Sequence, residues 1–319
     1  MTIESTNKKQ AIMTGCRTSA AKPNPFISVN IHLTRVCNFG CKFCFHGASM
    51  GVAKRPDVPL LKKTINILAA AGCRKLNFSG GEPSLFLAEL LTLIRHAKQQ
   101  GIPIVSVISN GSKLTPAWLR EAAPALDILG LSLHSADAST CETMGFRPKH
   151  GKGAAYDVAA HARELAAACK AMGIAVKVNT VITSANQGEQ MAALVEELGA
   201  SRWKAFEMLP LEGERAAEAT TLVPTRADFE DFISRQGSPV LIPETNEVMR
   251  DSYVIIDEGG RFIDSSGNRK VVASPRIVDV GIQEAFEAVC FDQTAFIMRD
   301  GLYTKTASAF SLKRHSALD

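Results

Sequence analysis

Three cysteines fall within eight residues, in the run Thr34-Arg35-Val36-Cys37-Asn38-Phe39-Gly40-Cys41-Lys42-Phe43-Cys44. The spacing C-x3-C-x2-C puts three thiolates on one loop. That is enough to ligate three irons of an iron–sulfur cubane and leave the fourth iron open to an external ligand. A closed zinc site needs a fourth protein ligand. His46, two residues past Cys44, is tight for sharing one tetrahedron, and zinc stands as the alternative. Gly40 relaxes the loop, while Phe39, Phe43 and Phe45 would shield a cluster from water. The remaining cysteines, Cys16, Cys73, Cys141, Cys169 and Cys290, are isolated from one another. In a chain of this length without a secretory signal, the pattern reads as a metal site plus scattered buried thiols in a reducing, cytoplasmic compartment.

The elements that must position this loop alternate regularly. Short strands are expected at Phe26–Leu33, Lys75–Phe78, Ile104–Ile108, Ile128–Leu133, Ala175–Val181 and Trp203–Met208, each followed by polar or glycine punctuation. Between them, Leu87, Leu90, Leu91, Ile94 and Ala97 share one helix face, as do Met191, Leu194, Val195 and Leu198. Six strand-then-helix units up to about residue 235 imply parallel strands joined by helical crossovers, in an α/β fold. Periodicity does not separate a partial barrel from an open doubly wound sheet. In either, ligands sit at the carboxyl ends of the strands. We divide the chain into a flexible leader at 1–25, a core at 26–235 and an extension at 236–319 that covers the site. In the extension, Tyr253–Asp257 and Arg261–Asp264 read as a hairpin around Glu258-Gly259-Gly260.

Composition sets outer limits. At 319 residues and 46% hydrophobic the chain builds a core without disulfide staples, and 21% charged excludes a wholly disordered chain. A net charge of +4 is too small to imply nucleic acid as a partner. With no run of about 18 apolar residues, no membrane-spanning helix is expected.

The cysteine loop after the first strand, with an aromatic before its last cysteine, resembles the radical S-adenosylmethionine superfamily. Asn77-Phe78-Ser79-Gly80-Gly81-Glu82-Pro83 after the second strand agrees, being similar to that superfamily's G-G-E-P segment. The likeness narrows to its viperin family. Cys37 to His46, Lys75 to Pro83, Lys177-Val178-Asn179, Arg202-Trp203-Lys204, Leu211-Glu212-Gly213-Glu214, Asp251-Ser252-Tyr253 and Val278-Asp279-Val280-Gly281 carry it, in order over about residues 27–305. The resemblance implies a partial (βα)6 barrel with a C-terminal extension, a [4Fe–4S] cluster on Cys37, Cys41 and Cys44, and S-adenosylmethionine as cofactor. It also implies dehydration of CTP, UTP or GTP to the 3′-deoxy-3′,4′-didehydro nucleotide, a chain terminator used in antiviral defence.

Carried over position by position, the resemblance assigns S-adenosylmethionine to Phe43, Gly80, Gly81, Glu82, Pro83, Ser109, Asn110 and Ser132. In that assignment the glycines expose backbone to the methionine moiety and Glu82 accepts from its ammonium. It assigns the nucleotide to Asn30, Lys75, Asn77, Ser79, Arg147, Lys177, Asn179, Arg202 and Lys204. Tyr253 is the expected proton or hydrogen-bond donor, and His46 the second candidate catalytic group. Lys75, Asn77 and Ser79 alternate along one strand, Lys177 and Asn179 along another, and Arg202 and Lys204 along a third. Three strands with inward polar residues are unlike an ordinary barrel core filled with aliphatics.

The expected partners are a nucleoside triphosphate, a flavodoxin- or ferredoxin-type electron donor and the iron–sulfur assembly machinery, with no membrane or nucleic acid, the chain acting as a monomer. Two departures from the animal pattern bear on this. Residues 1–25 show no amphipathic membrane face, and the chain ends Lys313-Arg314-His315-Ser316-Ala317-Leu318-Asp319 without tryptophan. The rival readings are another radical reaction, on RNA or peptide, and a non-catalytic zinc or iron–sulfur binding module.

Overall fold

The computed structural model describes residues 24–45, 55–149, 156–210, 216–264 and 273–303. His46, Cys16 and Leu211 to Glu214 lie outside the described residues. The first strand starts later than its apolar run. Pro25–Ile27 forms a 3-10 turn capped by Asn24, whose side chain accepts from the Phe26 amide, so β1 is Ser28–Thr34. Then follow α1 (Val58–Ala70), β2 (Lys75–Gly80), a 3-10 turn at Pro83–Phe86, α2 (Leu87–Gln99), β3 (Ile104–Ser109) and α3 (Pro116–Ala122). Next come β4 (Ile128–Ser132), α4 (Ala138–Thr143), α5 (Val158–Met172), β5 (Ala175–Ile182), α6 (Ala192–Glu197) and β6 (Arg202–Glu207). The six expected strands are all present, with ends moved by one or two residues. Asp57, Thr115, Asp137 and Asp157 cap α1, α3, α4 and α5 by accepting from backbone amides in the first turn, which is why these helices start where they do.

The last third adds α7 (Ala216–Thr220), α8 (Arg226–Gln236), β7 (Leu241–Glu244), α9 (Asn246–Met249), β8 (Val254–Ile256), β9 (Arg261–Ile263), β10 (Ala273–Arg276), α10 (Ile277–Val280), α11 (Ile282–Phe286) and α12 (Gln293–Met298). All ten strands form one sheet in the order β10-β9-β8-β1-β2-β3-β4-β5-β6-β7. β8 and β1 to β7 run parallel, β9 runs antiparallel to β8, and β10 runs antiparallel to β9. The segment expected to act as a cover therefore also enters the sheet. β7 pairs with β6 and β8 with β1, so the edges that six strands alone would leave open are taken up.

Alternation along the strands gives the sheet two unlike faces. Val29, Ile31, Leu33, Leu76, Phe78, Val105, Val107, Leu129, Leu131, Val176 and Val178 belong to one continuous buried core. The residues between them are polar except Gly130 on β4. Register places Asn30 beside Asn77 and Asn77 beside Ser106; across the sheet Lys177 lies beside Arg202 and Asn179 beside Lys204. Directly paired residues share a face, so the polar side chains line the inside of the curl. Among the described residues β7 and β8 share no backbone ladder. Side chains bridge that seam.

Candidate active site

At the carboxyl ends of the strands the cysteine loop is held from two sides. The amides of Gly40 and Lys42 donate to the carbonyls of Arg147 and Met144, and the Lys149 amide donates to Asn38 O, at 2.8–3.3 Å. Asn38 Nδ2 donates to Ser112 Oγ at 2.8 Å, and Asn110 Nδ2 donates to Asn38 Oδ1 at 3.1 Å. Phe39 packs edge-on against Phe146 and Tyr156. Arg35, just ahead of the loop, reaches Glu258 at 2.7 Å and Asp257 at 3.6 Å in the β8–β9 turn. The loop is thus pinned before its cysteines bind anything.

Cys37, Cys41 and Cys44 are half-buried, and burial pushes the Cys37 thiol up to about 11. Among the described residues no three His, Cys, Asp or Glu side chains converge on a single ion. Sulfurs around one tetrahedral zinc lie only about 3.8 Å apart, whereas a cubane spreads three thiolates over three irons. The donor set fits the cluster. By contrast, Cys73, Cys141 and Cys169 are separately buried thiols pushed up to about 12, 11 and 12, inert members of the core.

The G-G-E-P segment closes on the same loop through its backbone. Gly81 N donates to Thr34 O and Glu82 N to Val36 O, both at 2.7 Å. A Cβ on Gly81 would stand 2.1 Å from Val36 O, and Gly80 has φ +119° with Thr34 O at 2.6 Å from any Cβ. Only glycine permits that approach. It is the cradle a methionine moiety needs, with bare backbone beside the cysteines.

Glu82 differs from its expected role. Its carboxylate is 1% exposed; Oε1 accepts from Ser84 N at 2.9 Å and Ser109 Oγ at 2.6 Å, and Oε2 accepts from Asn110 N at 2.7 Å. Burial raises its pKa against the pull of those donors. A carboxylate sealed in this way ties the end of β2 to the end of β3 and presents no open face to an ammonium. Ser109 and Asn110 are spent partly on the same knot. Pro83 is buried, Phe43 is buried against His134, and Ser132 is half-buried at the end of β4 beside Asn179. His134 accepts from Val181 N at 3.0 Å, and burial drops it to about 3, so it is a neutral packing group.

The amino halves of the strands carry a second, charged region. Lys75, Arg202 and Lys204 are 5%, 2% and 4% exposed, and Lys177 is half-buried beside them. Burial is the first cause lowering Lys75, Lys177 and Lys204, and mutual repulsion adds to it; Lys177 falls to about 7. Lys75 Nζ donates to Tyr303 O at 2.6 Å, and the Tyr303 ring lies 4.7 Å from the Arg202 guanidinium. Arg202 also donates to the Asp300 carboxylate and to Arg299 O. Lys204 Nζ donates to Glu244 Oε1, Tyr253 OH donates to Glu244 Oε2, and Lys204 Nζ lies 3.2 Å from the phenol oxygen. The Arg299 guanidinium stacks 3.6 Å from the Tyr253 ring centre. Asn77 accepts from Ser106 and donates to Val29 O at 3.4 Å, while Asn30 donates to Val254 O at 3.2 Å. Ser79 is half-buried beside His32.

Most expected nucleotide contacts thus gather in one lumen. Arg147 does not. Its side chain is 60% exposed, 3.3 Å from Glu142, on the loop backing the cysteines. Sequence reading missed Glu244, Arg299, Asp300 and Tyr303. For Glu244 a signal existed, an acid ending the strand Leu241-Ile242-Pro243-Glu244 where function collects; for the other three there was none.

Similarity to known proteins agrees with this geometry. A profile described as the Radical SAM superfamily matches residues 31–198. An S-adenosylmethionine-dependent nucleotide dehydratase of Oncorhynchus mykiss is 37% identical over 86% of this chain and 80% of its own. One of Flammeovirga pacifica is 33% identical over 86% of this chain and 95% of its own. The chain belongs to the viperin-like nucleotide dehydratase family of radical S-adenosylmethionine enzymes. Enzymes of this superfamily use a [4Fe–4S] cluster and S-adenosylmethionine. Among solved structures, anSMEcpe with bound AdoMet and a peptide superimposes with TM-score 0.61 at 14% identity, over 82% of this chain and 80% of that one, a likeness of fold. In this viperin-like chain no helix among the described residues is long and apolar enough to cross a membrane.

Proposed function

We propose that this chain dehydrates a ribonucleoside triphosphate, CTP, UTP or GTP, to its 3′-deoxy-3′,4′-didehydro analogue, supplying a chain terminator for antiviral defence. The observation that carries the reading is the charge of the lumen. Among the described residues Lys75, Lys177, Arg202, Lys204 and Arg299 face the carboxylates of Glu244 and Asp300 alone, five basic side chains against two acids. Two polar atoms there, Arg202 Nε and Asn179 Oδ1, are buried without a partner. Holding that many basic groups charged in a buried site is costly, which is why burial lowers the lysines, and a polyanion removes the cost by restoring their charge. A triphosphate, with about four negative charges and many acceptor oxygens, matches both the excess and the unused donor.

Cys37, Cys41 and Cys44 would hold the [4Fe–4S] cluster, with backbone at Phe43, Gly80 and Gly81 and side chains at Ser109, Asn110 and Ser132 around S-adenosylmethionine. When bound, that pair supplies a 5′-deoxyadenosyl radical able to take the ribose C4′ hydrogen. The chain's own residues do the rest. Asn30, Asn77, Ser79 and Asn179 offer neutral polar groups between the phosphate cations and the cofactor end. Tyr253, its pKa held well above the usual phenol range by burial, stays protonated and able to give a proton to the departing 3′-hydroxyl. His46 is the second candidate for contact with substrate, whereas Arg147, turned outward on the loop behind the cysteines, is not.

We place the protein in the cytoplasm, acting as a monomer with a flavodoxin- or ferredoxin-type donor and the iron–sulfur assembly machinery. The isolated thiols of the core support the reducing compartment. The test incubates the anaerobically reconstituted protein with S-adenosylmethionine, reductant and each triphosphate in turn. The reading predicts that at least one raises 5′-deoxyadenosine above the control without nucleotide and yields a product lighter by one water. No rise with any of them overturns it.

A further inference from the structure

Glu244 is the most deeply buried acid of the lumen, 0% exposed at the carboxyl end of β7. It sits at the seam where β7 and β8 share no ladder, and its two oxygens are divided. One takes the Lys204 ammonium, from β6; the other takes the Tyr253 hydroxyl, from the residue before β8. Lys204 closes the triangle by donating to the Tyr253 oxygen at 3.2 Å. The other charges facing Glu244 are Arg299, with Nη1 at 3.9 Å, and Lys177 on β5; Arg202 on β6 acts on Lys204 and Tyr253. No other carboxylate touches Lys204 among the described residues, so Glu244 is its counter-charge.

We propose that Glu244 is a positioning residue for the dehydration half of the reaction, fixing the Tyr253 phenol and the Lys204 ammonium as one proton-delivering pair. This rests on the dehydratase reading. As the C3′–O bond breaks, the Tyr253 O–H bond breaks and its proton joins the leaving hydroxide, releasing water. One electron from the low-potential one-electron donor then completes the C3′=C4′ bond. The phenolate left beside Glu244 is a like charge next to a carboxylate, and Lys204, already hydrogen-bonded to it, passes an N–H proton across to restore the phenol. Lys204 reloads from solvent between turnovers. Glu244 pulls Lys204 toward its charged form, opposing the burial that lowers it.

The test is Glu244→Gln in the reconstituted holoenzyme, with 5′-deoxyadenosine and dehydrated nucleotide measured separately across pH. Glutamine keeps the shape and removes the charge. Expected is a loss of about 10- to 100-fold in kcat for dehydrated product, with KM for the triphosphate within about threefold. 5′-Deoxyadenosine should form in excess of product, and the alkaline limb of the pH–rate profile should move to lower pH. Glu244→Asp should recover part of the loss. Tyr253→Phe, which keeps Glu244, should reproduce the uncoupling and guards against a variant that fails to fold. If both products fall in parallel with the pH profile unmoved, or if only KM rises, Glu244 is structural and the proposal is wrong. Wild type that makes no dehydrated nucleotide at all would instead overturn the dehydratase reading.

Discussion

Beside the cysteine loop the buried acid Glu82 is sealed by Ser84, Ser109 and Asn110, and the loop itself is held by backbone bonds. In the lumen five basic side chains, four of them from the amino halves of β2, β5 and β6, crowd round two acids among the described residues, and buried polar atoms of Arg202 and Asn179 go unmatched. In one region the polar groups are matched by the protein itself; in the other, charge and two polar atoms are left over. A preorganised cradle suits a cofactor whose reactive atom must be placed closely. A cationic lumen suits a substrate that arrives with its own countercharge.

Substitutions should separate the two regions. The largest effect is expected for Cys41→Ala, which removes a cluster ligand. Absorbance near 400 nm and 5′-deoxyadenosine formation should fall to background while triphosphate binding by calorimetry stays within about twofold. Gly81→Ala comes next, since its Cβ would meet Val36 O at 2.1 Å. Displacement of the cysteine loop should cost about tenfold or more in turnover, again with nucleotide affinity nearly unchanged. A large loss of affinity in either variant would mean that the regions are not independent.

The cofactor end was legible because its chemistry is local. Cys37 to Cys44 and Gly80 to Pro83 are contiguous runs, and each follows a strand whose period is plain. What the runs did not reveal is where Glu82 points, which depends on the end of β3, 27 residues away. The lumen was half legible. Alternation marked Lys75, Lys177, Arg202 and Lys204, because inward polar residues break the expected apolar pattern. Their partners come from the last third of the chain, Tyr303 meeting Lys75 across 228 residues and Asp300 meeting Arg202 across 98. No periodicity spans such distances. Arg147 was carried over by likeness alone, and it lies on the outside because its loop is used to back the cysteines.

Lys177 sharpens the contrast from the other side. Lys177→Met should weaken triphosphate binding by about tenfold and leave cluster absorbance intact. In the empty protein burial lowers Lys177 to about 7. A bound polyanion favours its charged form, so the bound value is higher. Affinity should therefore be full below about pH 7 and decline as pH rises through that value, with net proton uptake on binding near pH 8, seen by calorimetry in buffers of different ionisation enthalpy. Binding without proton uptake would show that the lumen's lysines are charged before substrate arrives. Smallest of all, Arg147→Ala should change KM by less than about twofold, as expected for an exposed ion pair.

The most direct measurement supplies a triphosphate carrying deuterium at C4′ to the reduced, reconstituted enzyme and weighs the 5′-deoxyadenosine. A substrate seated on Lys75, Lys177, Arg202, Lys204 and Arg299 with its ribose toward the cysteine loop should transfer that deuterium, making the 5′-deoxyadenosine one mass unit heavier. 5′-Deoxyadenosine formed without deuterium, whichever labelled triphosphate is supplied, would contradict the account.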